Sequence, residues 1–189
     1  MYKRPKELEE GKYPKMSVSK LERVEKKKKG IGIKNILRLI ASILICEAVG
    51  GIGSLFTINS ISTWYGTIAK PSFTPPNWLF GPVWITLFLL MGVSVYLLWT
   101  DHLEGKSTGF ALTIFGIQLG LNALWSYLFF GLQLFFAGFV EILVLWAAIA
   151  MTIVAAYRVN KTAGLILLPY IAWVTIATLL TYYIWILNP

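Results

Sequence analysis

Polar positions are sparse over most of this chain, and five apolar stretches carry the pattern, at approximately Ile36 to Phe56, Trp78 to Trp99, Thr108 to Phe130, Phe135 to Ala156 and Gly164 to Leu187. A bilayer core about 30 Å thick needs roughly 20 residues of helix, because each residue advances about 1.5 Å. Each stretch is long enough. They mix leucine and isoleucine with many small residues and lack the strict alternation of a barrel strand, so they predict helices. The expected fold is an all-α membrane protein, a bundle of five transmembrane helices over residues 36–189. A basic tail, residues 1–35, precedes it and is expected to be disordered and cytoplasmic. Composition agrees, since 57% of the residues are apolar and only 14% are charged, far from the balance of a water-soluble domain.

The net charge of +8 suggests nucleic acid until its location is considered. Thirteen of the 17 basic residues lie within positions 1–38 with five acidic ones, and that difference is the whole net charge. The run Lys26 to Lys29, ahead of the first span, reads as a cytoplasmic retention signal that also suits anionic lipid, or equally as a solvated tail. With no aromatic residue among those lysines, nucleic acid is not expected as a partner. The positive-inside rule then places Lys106, Arg158 and Lys161 in cytoplasmic turns, and Lys70 and the carboxyl end outside. No cleavable signal is expected, because the first apolar run is long and lies beyond the hydrophilic tail. Cys46 is the single cysteine, which excludes an intrachain disulfide and leaves a cysteine-based metal site without support.

The one long connection, residues 57–77, ends in "KPSFTPPNWLFGPVW" (70–84). Pro71, Pro75 and Pro76 fix φ and lack amide hydrogens, so an extended, stiff segment is expected up to Asn77. Such a segment suits a lid, because a rigid loop loses little entropy when held over a pocket. Pro82 falls early in the second helix, where a missing amide costs least.

Helical spacing groups the side chains that such a lid would cover. Gln118, Asn122, Trp125 and Ser126 share a face of the third helix, Phe80, Trp84, Phe88 and Met91 form a stripe on the second, and Trp173, Ala177 and Thr181 align on the fifth. Aromatic walls with a few polar anchors suit a flat amphipathic ligand. The plainer uses are membrane-interface anchoring, which is the reading for Trp78, Trp99 and Trp185, and interhelical hydrogen bonding for Gln118 and Asn122. Trp146 has no clear role, and "GGIG" at Gly50 to Gly53, followed by Ser54, reads as a close-packing surface.

Four ordered motifs, "WYGTIAKPSFTPPNWLFGPVWITLF", "QLGLNALWSYLFF", "EILVLW" and "PYIAWVTIATLLTYYIW", resemble those of the TspO/MBR family, the tryptophan-rich sensory and translocator proteins, across roughly residues 40 to 188. The resemblance implies a five-helix bundle, often a homodimer, whose pocket binds porphyrins and hydrophobic drugs. It implies ligand-binding roles for Trp64 and Tyr65 in the loop, for Trp84, Asn122 and Trp125, and for Trp173; the stripes add Phe88 and Ala177. No cofactor is required, and a porphyrin or haem-like tetrapyrrole is the expected ligand, with membrane lipid as the surroundings. The chain departs from the family pattern in three places. Thr181 follows Leu180 where many members have asparagine, Phe73 stands in for a tryptophan of the Pro-rich loop, and no Lys or Arg follows Tyr182 and Tyr183, so sterol recognition is not expected.

Nothing builds a conventional acid–base or nucleophilic site, and the single histidine, His102, falls in a solvated turn. Some relatives promote light-dependent porphyrin breakdown; if that extends to this chain, Trp84 and Trp173 are the expected redox partners. Glu47 and Glu141 are acidic residues inside spans, each expected to be protonated, paired or facing a polar cavity. Glu47 is read as structural or interfacial, and it also carries the alternative reading, a small proton-coupled exporter of hydrophobic compounds. The expected function is a multi-pass membrane receptor or sensor for tetrapyrroles, with tetrapyrrole transport or degradation as extensions. The expected location is the plasma membrane with a cytoplasmic amino end, or the mitochondrial outer membrane in a eukaryote.

Overall fold

The computed structural model describes the backbone of residues 18–189 and the side chains of residues 32–189 apart from Ser62. Residues 1–17 of the basic tail lie outside the described residues. Two compact units divide the chain, residues 1–37 and 38–189. The helices are α1 (Val18–Ser62), α2 (Asn77–Leu103), α3 (Gly109–Ser126), α4 (Phe135–Val159), α5 (Lys161–Leu165) and α6 (Leu168–Leu187), and a π-helical turn, Tyr127–Gly131, extends α3. No strand occurs among the described residues. Among the described residues, five segments are long and apolar enough to cross a bilayer: Gly32–Ile61, Asn77–Leu103, Gly109–Gly131, Phe135–Val159 and Lys161–Leu187.

The helix ends differ from the sequence expectation in three places. The tail is helical from Val18 onward rather than disordered up to residue 35. At its other end α1 runs to Ser62, so residues 57–62 are helix and not lid. Thr57 and Thr63 return their hydroxyls to the carbonyls of Gly53 and Asn59, which lets a polar stretch stay near the helix. The last span is broken into α5 and α6, with Pro169 at the start of α6, where its missing amide costs little.

In a bilayer, apolar area gains nothing by leaving lipid, so close packing and interhelical hydrogen bonds hold the bundle. Within residues 38–189, α4 packs extensively against α3 and α6, and its Ile142, Leu145 and Ile149 are each at most 1% exposed. A Cβ on Gly92 of α2 would lie 2.6 Å from the Cα of Ile43, so α1 and α2 cross in near backbone contact that only glycine permits. At the end where α2 finishes and α5 begins, Asp101 accepts from Lys106 (2.7 Å) and from Asn160 Nδ2 (2.9 Å), and Ser94 Oγ donates to Ala163 O (2.9 Å). Trp146, left without a role by the sequence, ties α4 to α6 by donating its indole N–H to Thr175 Oγ1 at 2.9 Å.

The connection from α1 to α2 is shorter and more turned than an extended lid. Tyr65 N donates to Ser60 O at 2.7 Å, and Thr74 donates to Pro71 O through both its amide (3.1 Å) and its hydroxyl (2.7 Å). At Pro76, with φ −57° and ψ 141°, the backbone is the extended form that a fixed proline φ allows. Lys70 donates to the Tyr65 carbonyl, and its ammonium lies 4.7 Å from the centre of the Tyr65 ring. Asn188 fastens the segment to the end of α6, accepting from Ala69 N and donating to Ala69 O, both at 3.0 Å. Phe73 adds an edge-on contact with Tyr183 at 5.5 Å.

Candidate functional site

A cavity of about 500 Å³ lies among α1, α2 and the α3 end of the bundle. On α1 its wall is a stripe at helical spacing, Glu47, Gly50, Gly51, Ser54, Thr57, Ile58 and Ile61. From α2 come Phe80, Trp84, Ile85 and Phe88, and from α3 and its π turn come Asn122, Trp125, Ser126 and Phe130. Glu47 stands near the midpoint of its span, Gly32–Ile61, and Ile61 at its end, so the cavity runs about 20 Å from mid-bundle toward the Pro-rich connection.

Close approach of small residues makes this space. Gly50 faces the Phe88 ring, where a Cβ would meet ring carbons at 2.5 Å, so glycine there seats the ring that floors the cavity. Trp84 lies beside Phe88 (5.7 Å between centroids) and edge-on to Tyr170 (6.3 Å), while Trp125 stacks on Phe129 at 5.2 Å and 13°. The π turn places two consecutive aromatics at the cavity's end: Phe129 behind Trp125, and Phe130 in the wall. π turns recur at binding sites because the extra residue widens the helix locally.

Two nearly buried side chains with polar groups are set in these walls. Asn122 is 5% exposed and donates through Nδ2 to Tyr170 Oη at 2.9 Å; that hydroxyl in turn donates to Gln118 Oε1 at 2.9 Å. The chain Gln118–Tyr170–Asn122 fixes which way the asparagine amide points. Trp125 is 7% exposed, and its indole N–H is buried with no hydrogen-bond partner. An unmet buried donor costs about 1–3 kcal/mol, so it marks a place where an acceptor would be held.

Of the eight residues expected to bind ligand, the structure brings four to this cavity: Trp84, Phe88, Asn122 and Trp125. The other four stand elsewhere. Tyr65 is buried against Phe80 (6.3 Å) and Phe130 (5.7 Å), behind the wall, and Trp64 stacks on Phe135 at 5.6 Å. Trp173 meets Phe80 edge-on at 5.9 Å and borders a separate apolar groove with Pro82, Val83, Leu87 and Ile176. Ala177 is in the core, where it accepts the Thr181 hydroxyl at 2.8 Å. Trp84 and Trp173, named together for light-dependent breakdown, therefore do not share the cavity. Trp173 shares a helical register with Ala177 and Thr181, but periodicity tells which residues share a face and not which neighbour that face meets.

The connecting segment does not cover the cavity either, for none of residues 63–76 lines it. Its wall includes Gly51 and Ile58 of α1 and Gly81 and Ile85 of α2, all exposed and all within spans. The opening is sideways, between α1 and α2, at membrane depth. The two intramembrane acids part company here: Glu47 lines the cavity, whereas Glu141 is 8% exposed in the core of α4, with neither carboxyl oxygen hydrogen-bonded. No group of three or more metal-ligating side chains occurs among the described residues.

The family model described as TspO/MBR family matches residues 42–186. The chain belongs to the TspO/MBR family. Among curated relatives, it is 49% identical to the tryptophan-rich protein TspO of Archaeoglobus fulgidus over 82% of this chain and 99% of that protein. It is 39% identical to the human translocator protein over 71% of this chain and 80% of that protein. The tryptophan-rich sensory protein of Cereibacter sphaeroides is 34% identical over 63% of this chain and 73% of its own length. With five helices able to span a bilayer, this TspO/MBR chain is a multi-pass integral membrane protein.

Residues missed by the sequence reading complete the site. The α1 stripe contributes Gly51, Thr57, Ile58 and Ile61, and its regular spacing was available in the sequence. Tyr170, which orients Asn122, lay inside a quoted motif, but nothing local pairs it with residues 48 and 52 positions away.

Proposed function

We propose that this protein is a membrane receptor or sensor that takes planar hydrophobic ligands, tetrapyrroles foremost, into the cavity among α1, α2 and α3. The observation that carries this reading is the wall itself, in which Trp84, Phe88 and Trp125 present aromatic faces around an unmet indole N–H and an oriented Asn122 amide. Flat rings stack on flat rings, and a few fixed polar groups set orientation. The sideways opening supports loading from the bilayer, where such ligands concentrate, and not through the Pro-rich connection. Tail and turn charges support a cytoplasmic amino end, with Lys106, Arg158 and Lys161 on that side.

Titration of the purified protein with protoporphyrin, read by tryptophan fluorescence, tests the reading. Saturable quenching near one ligand per chain is expected, weakened at least fivefold by Asn122→Leu; quenching that rises linearly without saturation contradicts it. Proton-coupled export is a second reading, favoured by the place of Glu47 on the cavity wall. It requires ligand efflux from proteoliposomes that collapses with the proton gradient and in Glu47→Gln.

A further inference from the structure

Among the described residues Glu47 is the only charged side chain on the cavity wall, and no Lys, Arg or His accompanies it. The remaining polar groups offer an anion little. Ser54 donates its hydroxyl to Gly51 O (2.7 Å), Thr57 to Gly53 O (3.1 Å), and Asn122 commits an N–H to Tyr170. That leaves the second Asn122 N–H, the Trp125 indole N–H and the Ser126 hydroxyl, all neutral, as the donors on the wall. A carboxylate carried into the cavity would lose its water, find only neutral donors and no cation, and sit in a low-dielectric space with another carboxyl group. A ligand N–H or ammonium would meet the reverse, an acceptor carboxyl at mid-bundle and the faces of Trp84, Phe88 and Trp125.

We infer that Glu47 sorts ligands by charge: the cavity takes planar aromatic molecules that lead with an uncharged or protonated nitrogen, and turns away those that must bring a carboxylate to the depth of Glu47. The inference rests on the cavity being the ligand site, as proposed above, and adds what that site selects. For a tetrapyrrole it fixes orientation, with the nitrogen core toward Glu47 and any acidic side chains left at the sideways opening or esterified.

Protoporphyrin and its dimethyl ester separate the two ideas. Both are titrated against wild type, Glu47→Gln and Glu47→Lys in discs of phosphatidylcholine, with tryptophan quenching as readout and circular dichroism and gel filtration as checks of folding. In wild type the ester binds about tenfold tighter than the diacid. The ratio falls several-fold in Glu47→Gln and further, toward preference for the diacid, in Glu47→Lys. Should the lysine variant not fold, the nearly isosteric glutamine variant decides alone. An ester-to-diacid ratio that is the same in wild type and Glu47→Gln overturns the role of Glu47 and leaves the cavity reading standing. Failure of both compounds to bind wild type overturns the cavity reading and this inference with it.

Discussion

Single side chains in this bundle fall into those that fit only one way and those left unmet. Gly92 is of the first kind, because a methyl group there would press on the Ile43 backbone and not on a movable side chain. Gly92→Ala should destabilise the protein by about 1–3 kcal/mol, the usual cost of overpacking, whereas Gly51→Ala, with nothing within 4 Å, should be close to neutral; thermal unfolding in one detergent measures both. Glu141 is of the second kind. A buried carboxyl with no hydrogen-bond partner costs stability, so Glu141→Leu should raise the midpoint of thermal unfolding by an amount corresponding to about 1–3 kcal/mol. Tyr65 shows burial acting on a titration outside the spans: desolvation pushes its phenol up to about 12, above the ordinary value near 10. Because the folded state holds the proton more tightly, the associated stability is complete below about pH 10 and is lost as pH rises through about 12. Absorbance titration of phenolate should lose one late-ionising tyrosine in Tyr65→Phe.

Elements were legible from the sequence where length and hydropathy decide them, and less so where hydrogen bonds do. Five spans follow from apolar runs that lipid alone can solvate. The end of α1 did not, because "TINSIS" contains the residue types that leave helices, yet Thr57 and Thr63 turn their hydroxyls back onto the helix. The prolines marked where the connection lies but not what it touches, since that depends on Asn188, more than a hundred residues away. Breaking this tether should affect the connection and little else. In Asn188→Ala, amide exchange or protease cleavage within residues 63–76 should quicken several-fold while the unfolding midpoint falls only slightly, because the two bonds to Ala69 are exposed and water can replace them. Half of the predicted ligand residues reached the cavity for a related reason: a helical stripe is readable, but the neighbour it faces is set by packing. Phe80 stands between Trp173 and the cavity, and no periodicity on α6 reveals that.

At the scale of the molecule, Gly92 of α2 lets α1 and α2 cross closely at Ile43, while open space at Gly51 and Gly81 leaves them apart beside the cavity, so a bundle without polar gates acquires an opening toward lipid. That arrangement suits a protein whose ligands dissolve in the membrane. The central claim is that this cavity is where they are held, and filling it tests that most directly. Position 51 lies on the wall with free space around it, so Gly51→Trp should occupy the cavity without disturbing packing. The measurement is the affinity for protoporphyrin dimethyl ester, by fluorescence quenching, in wild type and Gly51→Trp of matched thermal stability. A loss of at least tenfold is predicted; an affinity unchanged in a correctly folded variant would place the ligand elsewhere and contradict the account.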